Sequence, residues 1–174
     1  MKNILKIFII AAGFVLFFNA NSFALVDVAA YGGYVFGGDA GGTDFDGPQY
    51  GVKAHYNTSF ALLFDLGVGA YFQQSKIKYD GSTKRKSADS TGLDVSLIFS
   101  IVPIIHPYAR GTWAFWDKTE DHKDNFKAYG LGAGVELTVF PFVRLFGEYM
   151  YNRSKHESVK FTSNAINAGL KVDF

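Results

Sequence analysis

The 174-residue chain has no cysteine. Disulfides, thiol nucleophiles and a cysteine-borne lipid anchor are thereby excluded. Proline is scarce at four residues, and Pro103 and Pro141 stand where short turns are expected, which leaves long stretches free to pair as strands. A surplus of charge is also missing. Lys2 and Lys6 lie in the leader, so 15 of the 17 basic residues remain against 16 acidic ones, a formal charge near −1. Nucleic-acid binding needs a basic surface and is not expected. No apolar run reaches the roughly 20 residues that a helix needs to cross a bilayer. After the leader no helical periodicity appears. No cofactor or metal is expected either, because His55 and His106 are isolated and lack ligand spacing.

What is abundant is glycine, 19 residues, and aromatic side chains, 17%. The first 24 residues read as a secretory signal. Lys2 and Lys6 form its charged region, 7–18 its apolar run, and Ser22 and Ala24 the small residues before a cut expected after Ala24. Residues 25–174 then form one domain, of a length that suits a single barrel.

That domain alternates with period two. In the last stretch, 165–174, Ile166, Ala168, Leu170, Val172 and Phe174 share one face, while Asn167, Gly169, Lys171 and Asp173 share the other. The pattern recurs over 26–36, 49–57, 64–73, 93–100, 107–116, 129–138 and 143–151. Eight strands result, each near the 9–11 residues of a tilted membrane strand. Long polar connections (37–47, 74–90, 117–125 and 152–160) alternate with short ones. Outer-membrane barrels alternate in this way, with long loops outside and short turns in the periplasm. The expected fold is an all-β, eight-stranded, antiparallel up-and-down transmembrane barrel.

The two faces decide its orientation. Eight strands enclose a space just wide enough for side chains. The apolar face carries four or five large groups per strand, too many for that interior. The polar face carries Gly67, Gly69, Gly130, Gly132 and Gly134, which suit a crowded lumen. All mid-strand charges lie on this polar face. On the lipid side an arginine or lysine would cost roughly 2–4 kcal/mol. Tyr34, Tyr50, Phe72, Phe115, Tyr129 and Tyr151 would form the outer aromatic girdle, and Phe64, Phe99, Phe140 and Phe174 the periplasmic one.

With the ending AINAGLKVDF, the phrase VRLFGEYMY in strand seven and PYARG opening strand five, the mature chain resembles the small outer-membrane barrels that include OmpX, Ail and the OmpA membrane domain. The resemblance implies an outer-membrane location and contact with membrane lipid and lipopolysaccharide. It also implies an assembly signal at Leu170, Val172 and Phe174, read by the barrel-insertion machinery. A closed barrel is expected to be a monomer, since closure leaves no edge to pair.

Three groups could carry function. Arg110, Glu136, Arg144 and Glu148 on strands five to seven form an expected lumenal salt-bridge network; its functional alternative is a narrow ion path. Lys76, Lys78, Lys84, Arg85 and Lys86 cluster at the end of the second long loop, where they could hold lipopolysaccharide phosphates, sulfated glycans or another extracellular ligand. His156 and Ser158 raise the third possibility, a lipid A deacylase of the PagL type. Here, however, Ser163-Asn164 stands apart from that pair, and a triad needs positioned partners. The expected role is non-enzymatic: structural, or adhesion-type binding through the outer loops.

Overall fold

The computed structural model describes residues 26–61, 63–100, 102–119, 127–156 and 159–174. These form β1 (Val26–Ala40), β2 (Asp44–Ala61), β3 (Phe64–Tyr79), β4 (Arg85–Phe99), β5 (Ile105–Thr119), β6 (Lys127–Phe140), β7 (Val143–His156) and β8 (Val159–Asp173). Each strand pairs antiparallel with the next, and β1 closes on β8 from Asp27↔Asp173 to Ala40↔Phe161. The eight-stranded up-and-down barrel expected from the alternation is the fold.

The facing also agrees. Asp27 and Asp94 are 0% exposed while Trp113 is 66% exposed, the reverse of a soluble protein. Val28, Val52, Val68, Val95, Leu131, Leu145 and Leu170 stand out from the wall as a band for acyl chains. Tyr34, Tyr50, Phe72, Trp113, Phe115, Tyr129 and Tyr151 rim one edge of the band. Phe64, Phe140 and Phe174 rim the other, where Phe64 packs on Phe99 at 5.3 Å between ring centroids. Trp113 sits directly opposite Tyr129 in register, so the outer girdle includes a tryptophan beyond the residues expected for it.

Strand length differs from expectation. The strands run 14 to 18 residues rather than 9–11. Three of the expected long loops are largely ladder. β1 and β2 leave only 41–43 between them, β3 and β4 leave 80–84, and β7 is followed by β8 after His156. The ladder from Phe64↔Phe99 continues without a slip to Lys78↔Arg85. The reason is physical. Period-two hydropathy is the imprint of lipid on one face, and it stops where the strand leaves the bilayer. Backbone pairing does not stop there.

Inside, flat rings lie over glycines on the neighbouring strand. A Cβ on Gly51 would fall 2.6 Å from the Tyr31 ring, one on Gly134 2.6 Å from the Tyr108 ring, and one on Gly169 2.7 Å from the Phe146 ring. Tyr31, Tyr108 and Phe146 pack with Ala29 and Ile98 as the apolar part of the interior.

Candidate functional site

The lumen is crossed by a chain of buried ion pairs. Arg110 of β5 grips Asp94 of β4, with Nε donating at 2.9 Å and Nη2 at 2.6 Å to Oδ2. Its Nη1 donates to Oε1 of Glu148 on β7. Glu148 also accepts from Lys53 Nζ at 3.2 Å, the Tyr108 hydroxyl at 2.8 Å and Asn167 Nδ2 at 3.0 Å. The Lys53 ammonium lies 4.3 Å from the centroid of the Phe146 ring as well. From Asp94 the chain continues through His55, whose Nε2 lies 3.4 Å from Asp94 Oδ1 and whose Nδ1 lies 2.9 Å from Asp27 Oδ1. Lys171 stands 3.5 Å from Asp27 and 2.6 Å from Glu136. Arg144 then joins Glu136 at 3.0 Å to Asp173 at 2.8 Å, at the periplasmic end.

The sequence places Arg110, Glu136, Arg144 and Glu148 in one network. The structure sorts them into two pairs, Arg110–Glu148 and Arg144–Glu136, joined through Asp94, His55, Asp27 and Lys171. His55, read from the sequence as isolated, is the middle link; its partners are remote in the chain and adjacent only after closure.

β6 presents Gly130, Gly132 and Gly134 to the lumen, where Thr112, Asn152, Met150 and Tyr108 from the flanking strands lie close over them, and Arg110 of β5 reaches Glu148 of β7 across that strand. In register, Arg110 faces Gly132, and Gly134 faces Glu148. The row His55↔Gly69↔Asp94 repeats the device across β3. A charge this deep is tolerated only when partnered. Arg110, Asp94 and Glu148 are each no more than 4% exposed. The chain fills the middle of the barrel with side chains that hold one another's charges in place.

The basic cluster is not the tip of a long loose arm. Lys76 and Lys78 lie in β3, Lys84 in the turn, and Arg85 and Lys86 at the start of β4. Pairing then divides them. Lys76, Lys78 and Arg85 share the outward face and are exposed. Lys86, opposite Ile77, turns to the other face, with its ammonium 5.4 Å from the centroid of the Tyr79 ring. Asp46 of β2 stands opposite Lys78, so the cationic surplus rests on Lys76 and Arg85. Gln74 receives the Tyr50 hydroxyl and donates to Asp89 at 2.8 Å. Lys76 therefore sits two residues, about 7 Å, beyond the outer girdle.

A cavity of about 130 Å³ occupies the outer half of the lumen. Its floor is Arg110. Gln49, Gln73, Ser75, Thr112 and Arg153 line it together with Val35, Phe45 and Met150. Sequence reading missed it, since the residues come from separate strands and carry no shared motif.

Of the other sequence candidates, His156 ends β7 opposite Val159, while Ser158 and the leader with its cut site lie outside the described residues. Asp39 caps its own turn by accepting from the Gly42 amide at 3.0 Å. Leu170, Val172 and Phe174 line the outward face of β8 at the periplasmic end. The Phe174 amide donates to Val26 O at 2.8 Å.

A closed barrel with a lipid-facing apolar band and a charged, filled lumen is a transmembrane β-barrel, of the kind found among small outer-membrane proteins. No protein-family model matches the chain. No curated relative matches it. Solved structures do. Neisserial surface protein A aligns at 21% identity and TM-score 0.71, over 86% of this chain and 97% of its own. Ail, the attachment invasion locus protein of Yersinia pestis, aligns at 16% and 0.52, over 86% and 99%. Ail in complex with the heparin analogue sucrose octasulfate aligns at 15% and 0.51, over 84% and 97%. At such identities the likeness is one of fold.

Proposed function

We propose that the protein is a non-enzymatic outer-membrane barrel whose outer rim binds phosphate or sulfate groups through Lys76 and Arg85, with Lys78 beside them. One observation carries this reading: the exposed cations share a single outward face of a paired hairpin, directly above the aromatic girdle. At that height they meet the phosphates of lipopolysaccharide or the sulfates of an arriving glycan. Ail binds a sulfated heparin analogue; here the chemistry rests on this chain's own cations. The chain is exported on residues 1–24 and works as a monomer. The ion-path reading has little to support it, since paired side chains cross the lumen. The deacylase reading rests on His156 and Ser158, of which Ser158 lies outside the described residues.

A basic residue near an anionic surface contributes about 1 kcal/mol. The double variant Lys76→Glu/Arg85→Glu should therefore weaken binding by about 2 kcal/mol or more, roughly thirty-fold. Flotation with lipopolysaccharide-containing vesicles and titration with sucrose octasulfate form the two arms. Loss in the first alone assigns the rim to membrane lipid, and loss in the second alone to soluble glycans. Unchanged affinity in both would remove the proposal.

Assembly is a separate expectation. Leu170, Val172 and Phe174 form the segment read by the insertion machinery, so deleting Phe174 should cut the amount of folded, heat-modifiable protein in outer membranes. Wild-type amounts on a gel of unboiled membranes would contradict that role.

A further inference from the structure

We propose that the lipid-facing wall of β6, β7, β8 and β1 holds one outer-leaflet lipid in place, its acyl chain in a groove and its phosphate on Lys155 and Lys160. None of these residues belongs to the cationic rim of β3 and β4, so the inference does not rest on that rim.

The groove lies near the middle of the apolar band. Register sets Val135, Gly147, Ala168 and Gly32 in one row across the four strands. Leu145 and Leu170 stand in the next row toward the periplasm; all six are exposed and line one groove. Its floor is bare backbone. Beyond its chain neighbours, a Cβ on Gly32 would find nothing nearer than the Gln49 carbonyl oxygen at 4.0 Å. One on Gly147 would find nothing nearer than the Asn167 carbonyl oxygen, also at 4.0 Å. Neither glycine has a positive φ. The lumenal glycines differ: a Cβ on Gly169 would meet the Ala30 carbonyl oxygen at 2.3 Å. Packing within the barrel therefore demands glycine at 169 but not at 32 or 147. A strand glycine that the fold itself does not require marks close approach by another molecule. Tyr149, one row above Gly147, leaves the groove open. Its hydroxyl donates to Asn164 Oδ1 at 2.5 Å and its ring centroid lies 6.4 Å from that of Phe36, both in the next row toward the rim.

Two cations stand above the groove. Lys155 faces Lys160 in register, both are exposed, and both share the outward face of Tyr151 and Asn164. Lys127 occupies the register position beside Lys155 on β6. Like charges directly opposite destabilise a strand pair, and a shared anion reverses that. Among the described residues neither Lys155 nor Lys160 has an ion pair. Arg153, half-buried, borders the outer cavity and is not counted with them.

The heights agree with a lipid. Gly147 stands midway on β7 between Val143, where the strand begins, and Tyr151 of the outer girdle. Lys155 follows Gly147 by eight residues, about 27 Å along the strand and about 20 Å along the membrane normal at a tilt near 40°. Half a bilayer has about 15 Å of hydrocarbon with the headgroups beyond it. A lipid whose phosphate meets Lys155 and Lys160 thus ends its chain at Gly147. A second copy of the chain suits this wall poorly, because a two-fold contact would set both lysines against their own counterparts. The occupant is the phosphorylated lipid of the outer leaflet, the lipid A part of lipopolysaccharide.

The test places the protein in phosphatidylcholine nanodiscs with labelled alanine methyls and titrates it with bis-phosphorylated lipid A. The expected result is a saturable shift of the Ala168 methyl, weakened at least ten-fold by Lys155→Glu/Lys160→Glu. Filling the floor with Gly147→Leu should weaken it at least ten-fold too. Should that variant not fold, Gly32→Leu takes its place with the same expectation. In Lys76→Glu/Arg85→Glu, which silences the other rim, Ala168 should keep its affinity. Ala54, exposed on the lipid face of β2, should show no saturable shift in that variant. No saturation at Ala168, equal affinity in the lysine or groove variants, or a matching response from Ala54 would each overturn the proposal. An Ala168 shift that follows protein copies per disc without lipid A would overturn it in favour of a second copy. The vesicle and octasulfate measurements decide the β3–β4 rim separately.

Discussion

Arg110→Met will lower the stability of the folded barrel by about 3–5 kcal/mol, the cost of removing one partner from a buried ionic group. The residue exchanges a guanidinium for an unbranched apolar side chain, so lost packing is small and the effect is electrostatic. It leaves Asp94 with only His55 beside it and leaves Glu148 with Lys53, Tyr108 and Asn167. Both carboxylates are buried too deeply for water to replace the guanidinium. Arg144→Met is the informative comparison. Arg144 is also doubly paired, to Glu136 and Asp173, but its side chain is 12% exposed against 2% for Arg110. Partial access to periplasmic water should hold its cost near 1 kcal/mol, as for exposed pairs. Reversible urea unfolding in lipid vesicles measures both. Equal losses, or a loss under about 1 kcal/mol for Arg110→Met, would show that the chain of pairs does not hold the barrel together. Replacing Asp94 and Glu148 by leucine alongside Arg110→Met should restore only part of the loss. Lys53 would then be stranded in its turn, while His55 keeps Asp27.

This arrangement separates the two ends of the molecule. Arg110 lies between the outer cavity, which it lines, and the buried carboxylates it pairs. The cationic rim on β3 and β4 lies outside that cavity.

Sidedness was legible from the sequence because lipid and lumen impose opposite demands on alternate residues. Asp27 and Val28, or Lys171 and Val172, announce their faces without any knowledge of the neighbouring strand. The membrane zone was legible for the same reason. Ladder length was not. Ser87, Ala88, Asp89 and Ser90 meet water on one side and a wide lumen on the other, so their composition resembles a loop although they pair with Gln73, Gln74, Ser75 and Lys76. The basic cluster therefore looked continuous in sequence, and only pairing shows that Lys86 turns away from Lys76, Lys78 and Arg85. The role of His55 was hidden more deeply. Its carboxylate partners come from β1 and β4, and Gly69 lets it reach the second. No local pattern encodes contact across an intervening glycine.

That dependence on missing side chains gives the second large effect: Gly134→Val should cost about 3 kcal/mol, the upper end of what overpacking a filled interior does. A Cβ there would meet the Gly147 carbonyl oxygen at 2.5 Å and the Tyr108 ring at 2.6 Å. The ring could swing aside only by giving up its hydrogen bond to Glu148 at 2.8 Å. The carbonyl belongs to the paired backbone of β7 and cannot move without disturbing the ladder. Gly81 provides the contrast. It has φ near 76° in the 80–84 turn and open space around its Cβ position. Gly81→Val should therefore bring backbone strain of about 1–2 kcal/mol with no steric conflict. Adding Tyr108→Ala to Gly134→Val separates the two obstacles. If the ring is the main conflict, the double variant will be more stable than Gly134→Val alone. If the carbonyl dominates, it will be less stable, because Glu148 loses a donor and the backbone clash remains. Wild-type unfolding midpoints for Gly134→Val would mean that the Tyr108 ring and the Gly147 carbonyl give way without cost, and that the close packing over this glycine does not constrain the barrel.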